Sequence, residues 1–201
     1  MANFIKGSMM IACLQEILED AKSEIILISP DIRLQDWIKE ALSSKTNEPQ
    51  VKITVVFGNE EEAIPNSLSK EDFKFLAQFP NIEIRHESRL HARYYANENK
   101  VLLSTMDLND FYLNNNNIEF GILVSQSFIG GITGHTLDTD AWNYFENVIE
   151  HSNLLFLRKP AFEDKMMGLS KKYKSSETEM DNLSKLLRAR VNKKPKTDET
   201  V

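Results

Sequence analysis

Between residues 8 and 22, Met9, Ile11, Leu14, Ile17, Leu18 and Ala21 recur at three- and four-residue intervals, with Gln15, Glu16, Glu19, Asp20 and Lys22 between them. This spacing predicts an amphipathic helix that starts near Gly7-Ser8. Residues 24–29 (EIILIS) then form a continuous apolar run closed by Pro30, and residues 51–58 (VKITVVFG) read as a second buried strand. Short runs of this kind are the pattern of strands buried on both faces. A helix over residues 34–43 separates them, carrying Trp37, Ile38, Ala41 and Leu42. Another is predicted over 69–78, where Ser69 and Asp72 make a plausible cap.

The alternation changes after Pro80. Residues 81–85 read as a short strand, and two further β signals, 90–95 and 100–106, flank a turn at Ala96-Asn97-Glu98-Asn99. Residues 118–125 (IEFGILVS) form another strand, and 140–151 a helix through Ala141, Tyr144, Phe145, Val148 and Ile149. Helices and buried strands in alternation predict an α/β fold, a mixed and largely buried sheet flanked by helices. Composition shifts at Pro160. Residues 1–160 are read as the folded domain, and 161–201 as a basic C-terminal tail, helical at first and fraying into disorder beyond about Val191.

The chain has 201 residues, 41% hydrophobic and 27% charged, enough for one well-buried core. The single cysteine, Cys13, excludes an intrachain disulfide framework and reads as a small buried hydrophobe. No run approaches the ~20 apolar residues of a membrane span, and no secretory leader is evident, so a soluble, cytoplasmic protein without a membrane partner is expected. Net charge is −6, divided unevenly: residues 1–157 carry 12 Lys and Arg against 23 Asp and Glu, and 158–201 carry 12 against 7. The acidic body argues against nonspecific coating of nucleic acid, whereas the tail could attract nucleic acid or a protein partner locally.

Three tempting features are ordinary by this reading. Glu60, Glu61 and Glu62 are a solvated acidic loop, because adjacent carboxylates converge poorly on a metal. The glycines of 129–139 lack the Lys-Ser/Thr of a phosphate loop, so that segment reads as a mobile loop. The run Asn114 to Asn117 is a turn. His86, His135 and His151 have no chemical company in the sequence, although His135 lies in a glycine-containing loop that could approach a site.

The chemistry concentrates in one place. If 90–95 is a strand, His91, Arg93 and Tyr95 share a face, which sets an imidazole beside a guanidinium. The returning strand presents either Val101, Leu103, Thr105 and Asp107 or Leu102 and Ser104 to that face, and the turn leaves the register open. The segment LHARYYANENKVLLSTMDL, followed by NNNNIEFGIL, resembles the signature of the phospholipase D superfamily, H-x-K-x4-D and then G-S-x-N with a later Glu. On that resemblance His91 takes the His position, Arg93 the Lys position and Glu98 the Asp position. Ser104 and Thr105 stand at Gly-Ser, Asp107 at Asn, and Glu119 at the later acid. Residues 1–155 resemble the small, single-motif, nuclease-like branch, with 90–123 the diagnostic stretch.

The resemblance implies a metal-independent phosphodiesterase without cofactors, acting on DNA or RNA. His91 would attack phosphorus to give a phosphohistidine, with Arg93 and Glu119 as the other catalytic residues and Ser104, Thr105 and Asp107 binding substrate. One motif supplies one histidine, so the general acid would be His91 of a second copy in a homodimer. Two departures from the motif matter most. Arg for Lys keeps the charge but spreads it over a fork. Asp107 for Asn sets an anion where an amide donor would face phosphate, and pairing with Arg93 would accommodate it while taking Arg93 from substrate. The alternative is therefore a catalytically degenerate module that binds nucleic acid or a protein partner. Lipid hydrolysis is disfavoured by the lack of a basic amphipathic anchor.

Overall fold

The structure, a computed structural model, describes residues 2–59, 64–108, 118–125, 137–165 and 170–189. The acidic run at 60–62, the asparagine run at 114–117, the glycines and His135 of the 129–139 segment, and the predicted fraying beyond Val191 lie outside the described residues. The chain builds β1 (Ala2–Lys6), α1 (Ser8–Asp20), β2 (Glu24–Ser29), α2 (Asp36–Ser43), a 3-10 turn (Ser44–Asn47), β3 (Lys52–Phe57), α3 (Ile64–Ser67), α4 (Lys70–Leu76) and β4 (Ile82–His86). There follow β5 (Tyr94–Asn97), β6 (Lys100–Ser104), β7 (Phe120–Ser125), α5 (Leu137–His151), β8 (Asn153–Lys165), β9 (Ser170–Asp181) and α6 (Leu183–Ala189).

The described strands form one sheet in the order β1-β7-β6-β5-β2-β3-β4-β8-β9. Only β2, β3 and β4 run parallel, each joined to the next by helical crossovers, which is the connection parallel neighbours require. Their apolar runs serve both faces by alternation. Ile25, Leu27, Ile53, Val55 and Phe57 pack under Met10, Leu14, Ile17 and Leu18 of α1, together with α2, α4 and α6. Ile26, Ile28 and Val56 join Tyr94, Ala96, Val101 and Val124 beneath α5, where Phe145 stacks on Tyr94 at 4.1 Å between ring centroids. Cys13 is half-buried against the first of these cores.

Two expectations need correction. The 90–95 strand is shorter and later than predicted: β5 begins only at Tyr94, because the backbone first turns at Glu87, whose carbonyl accepts from Leu90 N at 3.0 Å. The hairpin link is Glu98-Asn99 rather than 96–99. Asn97 closes it, its Oδ1 accepting from the backbone N–H of Asn99 and of Lys100 at 2.8 Å each. This settles the register as Tyr94 opposite Leu103, Tyr95 opposite Leu102 and Ala96 opposite Val101.

The second correction concerns the expected helix from 161. β8 runs through Pro160 and pairs antiparallel with β9, so 161–165 and 170–181 are strands, and among the described residues of this stretch only 183–189 is helical. The apolar period of three and four holds for Leu183, Leu186 and Leu187, which join the first core, and Met180 belongs to the strand.

Candidate functional site

The site is assembled where β2, β5, β6 and β7 end together. The chain reaches it through 87–93, a segment fixed from below. Glu87 N donates to Phe57 O at 3.0 Å, and Gly58 lies so close beneath Leu90 that a Cβ at Gly58 would stand 2.9 Å from the Leu90 carbonyl oxygen. His91 follows this contact and is exposed; among the described residues its imidazole makes no hydrogen bond. It lines a groove of about 630 Å³ whose opposite wall is α5, with Arg89, Tyr144, Asn147 and His151 among its other residues. Arg85 secures the end of that wall, donating through Nη1 to the carbonyls of Ile149 and Ser152 at 3.1 Å each.

Arg93 is held differently. Its Nε and Nη2 donate to Oδ1 and Oδ2 of Asp107 at 2.6 and 2.7 Å, a bidentate ion pair, and its Nη1 donates to the backbone carbonyl of His91 at 3.1 Å. The hydrogen bond to Asp107 pushes the guanidinium pKa up, against partial burial, and the Asp107 and Glu119 charges add to it. Ser29, at the buried end of β2, donates to Asp107 Oδ1 at 3.4 Å. Tyr95 is fully buried and donates its hydroxyl to Met106 O at 2.7 Å; burial drives its phenol well above the usual range. Arg93 is thus paired with Asp107, the arrangement that would accommodate the carboxylate at this position, whereas His91 meets Arg93 only through its backbone carbonyl. The alternation expected to place both side chains on one face does not extend to His91, because His91 precedes the strand.

The hydroxyls predicted to face substrate are turned toward backbone. Ser104 Oγ accepts from Met106 N at 2.8 Å, and Thr105 Oγ1 both accepts from Phe120 N at 3.1 Å and donates to Phe120 O at 3.3 Å. The Thr105 bonds pin the loop carrying Asp107 to the start of β7, and the Ser104 bond braces the loop itself. Glu119 sits just ahead of β7, half-buried. Among the described residues, no three or more His, Cys, Asp or Glu side chains converge as a metal site.

Glu98 is a strut. Its carboxylate accepts the backbone N–H groups of Lys22, Ser23 and Glu24 at 2.8, 3.3 and 3.3 Å, tying the β5-β6 link to the start of β2. Burial works against its charge, but these hydrogen bonds outweigh it and hold its pKa below the ordinary glutamate value. The stabilisation is therefore complete above the unfolded pKa, near 4.5, and disappears as pH falls through the lower folded value. Glu98→Gln should cost about 1 kcal/mol at pH 7, a figure already reduced for its partial exposure, and the difference from wild type should shrink below pH 4. Urea titrations of both proteins across that range would measure it; a constant difference would contradict the strut.

Sequence reasoning passed over Ser29 and the groove wall on α5. Ser29 carried a signal, being polar at the closed end of an apolar strand; the wall, remote in sequence, carried none. His151, without chemical company in the sequence, lines the groove with His91, and its Nδ1 lies 2.8 Å from Asn147 O within α5.

No family model and no curated protein matches the chain by sequence. Solved structures do match by shape. Nuc from Salmonella typhimurium, described as a phospholipase D family member, superposes with a TM-score of 0.54 at 12% identity, over 77% of this chain and 98% of that one. NucT from Helicobacter pylori does so with a TM-score of 0.56 at 13% identity, over 77% and 99%. This chain therefore carries the phospholipase D-like fold.

Proposed function

We propose that this protein hydrolyses phosphodiester bonds in DNA or RNA without a metal ion, as a homodimer that brings two copies of His91 to one phosphate. The observation that carries the reading is His91 itself: an exposed imidazole with no hydrogen-bond partner among the described residues, at the rim of a groove in a phospholipase D-like fold. One His91 attacks phosphorus and displaces the nucleic-acid oxygen, which takes a proton from His91 of the second copy. That second imidazole then removes a proton from water, and the resulting attack on phosphorus releases the other strand, now ending in a phosphomonoester, from the first imidazole. Arg93 stabilises charge on the phosphoryl oxygens. Incubation of the purified chain with single- and double-stranded DNA and RNA in EDTA should give cleavage, and His91→Ala should lower the rate at least ~100-fold, the lower end for loss of a general acid-base group. Equal cleavage by the variant would exclude this mechanism.

The Arg93–Asp107 pair favours a second reading. With Nε and Nη2 both spent on Asp107, the guanidinium offers phosphate less than a free lysine would. The chain is then a binding module for nucleic acid or for a protein partner, with its chemistry silenced at one residue.

A further inference from the structure

β9 is the last strand of the sheet, and among the described residues no strand covers its outer edge. An exposed edge of 12 residues offers a row of unpaired backbone N–H and C=O groups, which natural proteins usually blunt. Here the charges along that edge are sorted by sign. Lys172 and Lys174 lie in its first half, Glu177 and Glu179 in its second.

Simple alternation would scatter these four residues over two faces, but over the stretch paired with 156–165 of β8, β9 has two residues more. Arg158 pairs with Thr178 and Leu157 with Met180, which leaves Glu179 over; Phe162 pairs with Tyr173 and Ala161 with Ser175, which leaves Lys174 over. Each bulge shifts the alternation. Cross-strand partners share a face, so Lys172 lies with Glu163 and Glu177 with Lys159; Glu163 and Lys159 are four apart on β8 and therefore on one side. Lys174 reaches Glu163 at 3.4 Å and Glu179 reaches Lys159 at 2.9 Å, which brings both bulged residues to the same side. These intrachain pairs are exposed and hold the charges only weakly. On the other face Phe162 and Tyr173 meet edge to face, 6.2 Å between centroids, and stiffen the ribbon.

A strand whose first half is basic and second half acidic is complementary to itself when reversed. We infer that β9 is a self-association edge, pairing antiparallel across a twofold axis with β9 of a second copy, so that Lys172 and Lys174 meet Glu177 and Glu179 of the other chain. Like charges opposed in a parallel arrangement would repel, so the sign order also selects the antiparallel one. This contact is not the one that apposes two copies of His91. Five strand spacings separate β5 from β9, so the two sites of a β9-joined pair lie about 50 Å apart at ~4.8 Å per strand.

Charge reversal tests it. Lys172→Glu with Lys174→Glu makes the edge net acidic, and Glu177→Lys with Glu179→Lys makes it net basic. In analytical ultracentrifugation of the full chain at low salt, each double variant should sediment at half the wild-type mass, and an equimolar mixture should return to that mass. Both variants should keep whatever nucleic-acid cleavage the wild type has, which separates this edge from the proposed site dimer. A wild type that sediments as a monomer, variants that keep the wild-type mass, or a mixture that fails to recover it would each overturn the inference.

Discussion

Asp107→Asn should raise phosphodiester cleavage, or phosphate affinity if the chain only binds, by about ten- to a hundredfold, equivalent to ~1.4 to 2.7 kcal/mol of transition-state stabilisation or of binding. The present carboxylate takes two of the Arg93 donors at 2.6 and 2.7 Å and sets a negative charge where a phosphate would approach. Asparagine keeps the shape, removes that charge, leaves at most one acceptor for the guanidinium and offers an N–H in return. The folded state should hardly notice. Side-chain exposures of 27% and 24% leave the ion pair partly screened by water, and losing it should cost under ~1 kcal/mol. Hydrolysis of a single-stranded oligonucleotide and titration with inorganic phosphate together read the outcome. If neither changes, Asp107 does not restrain Arg93 and the silenced-site reading falls.

Gly58→Val should be the most damaging change outside the chemistry. A Cβ there stands 2.9 Å from the Leu90 carbonyl oxygen, 3.0 Å from Leu90 Cβ and 3.3 Å from Pro30 Cα, and two of these three are backbone atoms with little freedom to yield. Overpacking of this sort costs about 1–3 kcal/mol, which in a domain of this size lowers the melting temperature by ~2–4 °C per kcal/mol. The displaced segment is the one that delivers His91, so any cleavage should fall further than stability accounts for at a temperature where the variant remains folded. Thermal melts and rates on the same samples check both; a melting point within a degree of wild type would show that 87–91 moves aside freely.

The buried strands were legible because burial on both faces leaves a short unbroken apolar run, as in 25–28 and 55–57. The helix under them was legible for the complementary reason, a stripe recurring every three or four residues. What escaped was structure imposed by partners distant in sequence. Nothing local in SKKYKSSETEMD announces a strand; its pairing with β8 and its two bulges do. The site shows the same division. Arg93 and Asp107 could be foreseen as a pair from the chemistry of two altered motif positions. The position of His91 could not, because it depends on how Phe57, Gly58 and Leu90 meet, and a period of two assumes a strand that has not yet begun.

β1 pairs with β7 over its whole length, Ala2 opposite Val124 and Lys6 opposite Phe120. A ribosome adding 5–20 residues per second needs roughly 6–24 s to travel from one to the other. Throughout that interval the first strand, which includes Phe4 and Ile5, has no partner, while α1, directly after it, can already settle on β2 and β3. The β1 edge of the sheet is therefore closed only once β7 has been made, in an order opposite to that of synthesis, and β8 and β9 then extend the other edge.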